Sequence, residues 1–361
     1  MTETTMAREI AEQPEALART LDTLRPLRGA LRQLADDRRV VLFVARGSSD
    51  NAAIYGRYLL EVHAGRPGGL AAPSVATHYH ADLDLSEALV VSVSQSGETQ
   101  EIVETQEWAA DRGARTVAVT NDAHSALAAA ADMALVTQAG KELAVPATKS
   151  YTTQLVAMAV LAGALAPDSH ALDPDLDRVP AEVERLIAER VGVDAAAERL
   201  ASTMETLVSG RGIVFGTALE AALKLEETCL RPVRGLSYAD LRHGPIAVVD
   251  ADHVALLVSA GDGPMVSGMT ELAHDLRERG AAATVGIGGD AGFAAAVDVA
   301  VAGPDLPETV APLALVVPAQ LTVEALAHRL GLDPDAPRGL SKVTQTDPID
   351  TTAEPTTGGQ E

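Results

Sequence analysis

The strongest constraint on the fold is a pattern that occurs twice. In the first copy the apolar run Ala88 to Val93 leads into Ser94-Gln95-Ser96-Gly97, then a helix-compatible stretch to Arg112-Gly113, then apolar Thr116 to Val119. In the second, Val254 to Val258 leads into Ser259-Ala260-Gly261, a helix-compatible stretch to Arg279-Gly280, and Ala283 to Ile287. Each reads as strand, Gly-containing turn, helix, Gly cap and strand, which is the parallel βαβ unit. Upstream of each copy another short apolar run enters a helix: Val40 to Ala45 before Ser48, and Gly212 to Phe215 before Ala218. The expected fold class is α/β, with two doubly wound parallel sheets flanked by helices and ligands at the carboxyl ends of the strands.

The remaining segments fit around these halves. Residues 1–39 read as an N-terminal helical segment, 40–165 as the first domain, 166–199 as linker and helix, and 200–332 as the second domain. Ala166 to Pro180, rich in Asp and Pro, supplies the linker. Residues 333–344 form a C-terminal loop, and 345–361 read as a disordered tail with four acids and no bases. The Ala-rich stretch from Thr148 is apolar on most faces, so it is expected to be buried, against a second subunit.

Composition excludes several classes. With 2% aromatic residues among 47% hydrophobic ones, Ala, Val and Leu must fill the interior. No run approaches the ~20 apolar residues of a membrane span. The acidic opening MTETTMAREIAEQPEAL lacks a signal-peptide pattern, and the lone Cys229 fits a reducing compartment, so a cytoplasmic location is expected. A net charge of -23 disfavours nucleic acid. It does not disfavour a single phosphate, which local N–H groups and hydroxyls can hold. The nine His residues show no paired ligand spacing, His78-Tyr79-His80 being an isolated i, i+2 pair. No metal or other cofactor is expected.

Two features carry chemistry. Ser94-Gln95-Ser96-Gly97-Glu98-Thr99 follows a buried strand and opens a helix, so its backbone N–H groups converge with three hydroxyls and an amide. That is more than a helix cap needs, and it suits a phosphate dianion. Gly47-Ser48-Ser49, after the first strand, adds further donors. The second feature is the scarcity of lysine: only Lys141, Lys149, Lys224 and Lys342 stand among 28 basic residues. Lysine can lose its proton or attack a carbonyl, which arginine does not readily do.

SQSGET, AGKELAVPATKSYTTQL (Ala139 to Leu155), ALEAALKLEE with LRHGP (Ala218 to Pro245), MAREIAEQP and PRGLSKVT (Pro337 to Thr344) together resemble the isomerase half of the glucosamine-6-phosphate synthase family. All four lysines fall inside these motifs. The resemblance implies two tandem SIS (sugar isomerase) domains and a homodimer with shared active sites, acting on a sugar phosphate. It implies phosphate or substrate contacts at Ser49, Ser94, Gln95, Ser96, Thr99 and Val145. It further implies that Glu227 moves a proton between C1 and C2, that Lys224 sits one helical turn away on its face, and that His243, supplied by the partner subunit, opens the ring. Lys342 matches a lysine able to form a Schiff base with a keto sugar. On the residues alone, Glu226-Glu227 could equally be a solvated acidic pair and His243-Gly244-Pro245 a turn.

The sequence departs from the family in places. The family's glutaminase half needs an N-terminal Cys nucleophile, whereas Thr2 follows Met1 here, so ammonia is not expected from glutamine by that route. Pro146 and Ala147 are unusual, and Arg231-Pro232 replaces a more helix-friendly stretch. The expected reaction is that of an amino-sugar 6-phosphate deaminase or isomerase, glucosamine 6-phosphate giving fructose 6-phosphate and ammonia. The alternatives are dehydration of N-acetylglucosamine 6-phosphate, fructosamine-6-phosphate deglycation and a non-catalytic sensor. A DNA-binding sensor would need a basic helix-turn-helix before Val40, where only 39 residues stand and they form no basic patch.

Overall fold

The Val- and Ala-rich runs are buried on both faces, which is the condition under which parallel strands form. A computed structural model describes residues 3–342. The first sheet contains β1 (Val40–Val44), β2 (Gly68–Leu70), β3 (Ala88–Val93), β4 (Arg115–Thr120) and β5 (Met133–Val136). The second contains β6 (Glu205–Gly210), β7 (Val233–Ser237), β8 (His253–Ser259), β9 (Ala283–Gly288) and β10 (Val299–Val301). All pairings are parallel, in the orders β2-β1-β3-β4-β5 and β10-β9-β8-β6-β7. Read from the other edge, the second order repeats the first, strand for strand. The duplicated sequence pattern is therefore a duplicated topology. In each sheet the strand order reverses once, between β1 and β3 and between β6 and β8. A crevice opens at such a point because the connections leave to opposite sides.

One expectation needs correction. The apolar run Gly212 to Phe215 is not the strand that precedes the second helix; that strand is Glu205–Gly210, and Gly212–Val214 is a 3₁₀ turn. Gly212 has φ +67°, a left-handed conformation that ends an extended run whatever the hydropathy of the residues after it.

Helices α1 (Thr5–Ala11) and α2 (Gln13–Leu24) precede β1. Helix α3 (Ser48–Leu59) follows β1, α4 (Gln100–Asp111) follows β3, and α5 (Lys149–Leu165) closes the first half. In the second half α6 (Phe215–Cys229) follows β6, α7 (Val266–Glu278) follows β8, and α8 (Pro312–Arg329) comes last. All 17 residues of α5 are buried, covered by α2, α3 and α8 of the same chain. Its apolar surface thus needs no second subunit for cover.

The two halves meet where α3 packs on α6. At Gly216 a Cβ would lie 2.5 Å from the Asn51 carbonyl oxygen, so the bare glycine permits this close crossing. The segment read as a linker is anchored: Leu172, Leu176 and Val179 are buried, and Asp173 bonds Arg28 at 2.9 and 2.5 Å. Among the described residues no helix is long and apolar enough to cross a membrane. The tail expected over 345–361 lies outside the described residues, as do the last two positions of the loop 333–344.

Candidate active site

The loops after β1 and β3 lie side by side at the point where the first sheet reverses, and a cavity of about 530 Å³ opens there. Gly47, with φ +57°, turns the chain from β1 into α3 and leaves Ser48 and Ser49 in its first turn. Ser49 is fixed from behind, since its Oγ accepts from Gln154 Nε2 of α5 at 3.0 Å.

The loop after β3 folds on itself. Ser94 Oγ accepts from the Gly97 N–H and Ser96 Oγ from the Glu98 N–H, each at 3.2 Å. Gly97 has φ +65°, and a Cβ there would lie 2.8 Å from Thr120 Oγ1 and closer still to Ser125. The bend is therefore open to glycine alone. Thr99, in extended conformation, caps α4 without a side-chain cap bond. The result is a turn of N–H groups and hydroxyls at the positive end of a helix.

The opposite wall comes from α6. Glu220, Lys224 and Glu227 stand at i, i+4 and i+7, so one helix face carries acid, base and acid. Glu220 is fully buried and accepts from Ser48 Oγ and Asn51 Nδ2, both at 2.9 Å. Burial raises its pKa against the opposing pull of Lys224 and these two donors. Lys224 is itself buried, 3.5 Å from Glu220 and hydrogen-bonded to Glu227. Burial alone would lower the lysine pKa, but the two carboxylates override it and hold Nζ as an ammonium. Glu227 is the partly exposed member, facing the cavity.

A third wall is assembled from distant segments. Lys342 donates to Glu142 Oε2 at 2.6 Å and to the Ala144 carbonyl at 2.7 Å. Glu142, fully buried, also accepts from the Thr148 N–H at 2.9 Å and from Ser150 Oγ at 2.5 Å. Burial would raise its pKa, yet the Lys342 charge and these bonds bring it below the ordinary value. The loop that carries Glu142 is held in turn by Glu9 of α1, which accepts from the Leu143 and Ala144 N–H groups at 2.5 and 3.2 Å.

Ser49, Ser94, Gln95, Ser96, Thr99, Val145, Lys224, Glu227 and Lys342 all line this one cavity. His243 does not: it caps the short helix Tyr238–Arg242 in an exposed position. Two of the four lysines stand elsewhere. Lys141 is exposed, and Lys149 is buried in a structural pair with Glu12 at 2.5 Å. Sequence reasoning assigned nothing to Arg46, Glu142 or Glu220. Arg46 lines the cavity and pairs with Glu101 at 2.8 Å. The acid–lysine–acid register around Lys224 was a readable signal for Glu220. Nothing local distinguishes Glu142, whose partner lies at the far end of the chain.

The chain is similar to known proteins over most of its length. The profile of the SIS domain matches residues 33–164. Over 338 residues the chain is 32% identical to the glutamine–fructose-6-phosphate aminotransferase (isomerizing) of Aquifex aeolicus, covering 93% of this chain and 57% of that one. It thus spans little more than half the length of that relative. A crystal structure from Silicibacter pomeroyi DSS-3, provisionally named a phosphosugar isomerase, superposes with a TM-score of 0.83 at 33% identity. It covers 92% of this chain and 100% of its own. The C-terminal domain of glucosamine-fructose-6-phosphate aminotransferase from Francisella tularensis gives 0.79 at 26% identity, over 93% and 99% of the two chains.

Proposed function

From the premise that this chain belongs to the SIS-domain family of sugar-phosphate isomerases, we propose that it is an amino-sugar 6-phosphate deaminase/isomerase. The observation that carries the reading is the convergence of an anion-binding turn, a cavity-facing carboxylate and two ammonium groups on one cavity. The turn at Ser94–Thr99, with Ser49, takes the phosphate. The sugar then extends toward α6.

Glu227 is the base. It removes the proton from C2 of the open-chain aldose and returns it to C1. With an amine on C2 the product is a ketimine, which water hydrolyses to fructose 6-phosphate and ammonia. Lys224, hydrogen-bonded to Glu227, places positive charge where the enolic oxygen develops its negative charge. Its ammonium is unsuited to nucleophilic attack, which needs the neutral amine. Lys342 serves as a second fixed charge while paired with Glu142; Schiff-base chemistry would require it to leave that pair and lose a proton. His243 opens the ring from a second copy of the chain, because it stands outside the cavity of its own.

Incubation with glucosamine 6-phosphate, following ammonia and fructose 6-phosphate, tests the reading. Equimolar appearance of both is expected. A new ultraviolet chromophore from N-acetylglucosamine 6-phosphate, with no ammonia from the first substrate, would replace deamination by dehydration.

A further inference from the structure

A second cavity lies behind the C-terminal end of α6. It has a volume of about 320 Å³ and is walled by Met204, Cys229, Leu230, Leu330 and Leu332, with two guanidinium groups, Arg231 and Arg338. None of these residues lines the cavity of the active site.

Local sequence sends Arg231 inward. Leu230 ends α6 in the left-handed conformation at φ +53°, where a branched residue is strained. Pro232 then forbids any continuation of the helix and keeps Arg231 extended. The side chain enters a nearly dry environment, with Arg231 only 4% exposed. Its Nε and Nη1 have no hydrogen-bond partner, and it forms no ion pair among the described residues. Burial lowers its pKa, and the only opposing influence is the Cys229 thiol, itself pushed up to about 12 by burial and so neutral.

A buried cation with unused donors is costly unless an anion completes it. The other described residues leave this one incomplete, although the other buried arginine among them, Arg28, is matched by Asp173. We propose that the cavity is a binding site for a small oxyanion, carboxylate or phosphate monoester, borne on an apolar body. The guanidinium fork matches two oxygens of such a group. Exposed Arg338 meets it from the mouth. The leucines and Met204 offer no partners to sugar hydroxyls, so a bare sugar phosphate is excluded in favour of an apolar body.

Calorimetric titration of the full chain with benzoate, phenyl phosphate and inorganic phosphate tests this. Saturable binding of benzoate or phenyl phosphate is expected, weakened about tenfold or more by Arg231→Met, as loss of a charge-assisted bidentate pair implies. Inorganic phosphate should bind this site more weakly than either. Ser94→Ala, which alters the other cavity, should leave benzoate binding unchanged. Should Arg231→Met fail to fold, Arg338→Met is the second variant, expected to weaken binding several-fold from a solvent-exposed position. Absence of saturation by both aromatic anions, or binding lost in Ser94→Ala and kept in the arginine variants, would overturn the assignment.

Discussion

Lys342 and Glu142 lie 200 positions apart in the chain, and the Lys342 ammonium donates to the Glu142 carboxylate at 2.6 Å. This pair ties the C-terminal loop to the floor of the first domain. Removing one partner of a buried pair leaves the other uncompensated. Glu142→Gln should therefore destabilise the fold by about 3 kcal/mol, the low end of the range for such pairs because Lys342 is partly exposed. Lys342→Met added to it should cost much less than it does alone, giving a coupling of about 1–3 kcal/mol in a urea double-mutant cycle. Simple additivity would show that the pair is not what holds the loop.

Glu227→Gln tests the proposed base. The substitution keeps the side chain's size but removes its capacity to accept a proton. A fall in kcat of about 10²–10⁴-fold is expected, with KM little changed. A variant that kept wild-type kcat would assign the proton transfer to another group.

Subunit mixing tests whether sites are shared. His243 is exposed on its own chain, while Glu227 faces the cavity. Glu227→Gln and His243→Ala should each be inactive as homodimers. Statistical mixing should restore roughly a quarter of wild-type activity, through the one intact site of each mixed dimer. No recovery after confirmed subunit exchange would place His243 outside the reaction.

Gly97 and Gly140 separate backbone strain from steric exclusion. Both have positive φ, +65° and +77°, but only Gly97 is enclosed. Gly140→Ala should cost about 1 kcal/mol, the left-handed penalty alone. Gly97→Ala adds a forced contact with Ser125 and Thr120, for a total of about 3 kcal/mol. It should also weaken inorganic phosphate binding at the turn. Equal thermal shifts for the two variants would remove the steric argument.

Asp173 sets an acid limit on stability. Hydrogen bonds from Arg28 lead the causes that lower its pKa from 3.8 to about 2. A depressed carboxylate stabilises the native state above the unfolded pKa and loses that contribution as pH falls through the folded one. The contribution, about 2 kcal/mol at most once solvent screening is allowed for, should be complete above about pH 5 and be lost progressively as pH falls through about 2. Asp173→Asn should flatten this part of a stability-versus-pH curve; an unchanged slope would assign acid sensitivity elsewhere.

How much of this was legible depends on the range of the interaction. The hydroxyl-rich turn was readable because its parts are contiguous: strand β3, Ser94 to Thr99, and the start of α4 follow one another. Lys224 and Glu227 were readable for the same reason, being three apart on one helix. The strand β6 was displaced from its expected place because Gly212 and the residues after it look apolar enough for a strand. Only the backbone angle at that glycine distinguishes the turn. Glu142 was invisible, since its meaning comes from Lys342, and Glu220 becomes a buried partner only because Gly216 lets α6 approach α3.

The sequence by itself determined the duplicated α/β pattern, the turn at Ser94 to Thr99 and the hydroxyls that set it apart from an ordinary helix cap. Those follow from hydrophobic periodicity, glycine placement and hydroxyl density within a few residues. Tertiary structure alone decided which charges are buried and which are paired. Lys149 became a structural cation, Lys342 a tethered one, and Arg231 a buried cation with no partner among the described residues. Burial and pairing fix the energy of a charge, and both are properties of segments brought together from across the chain.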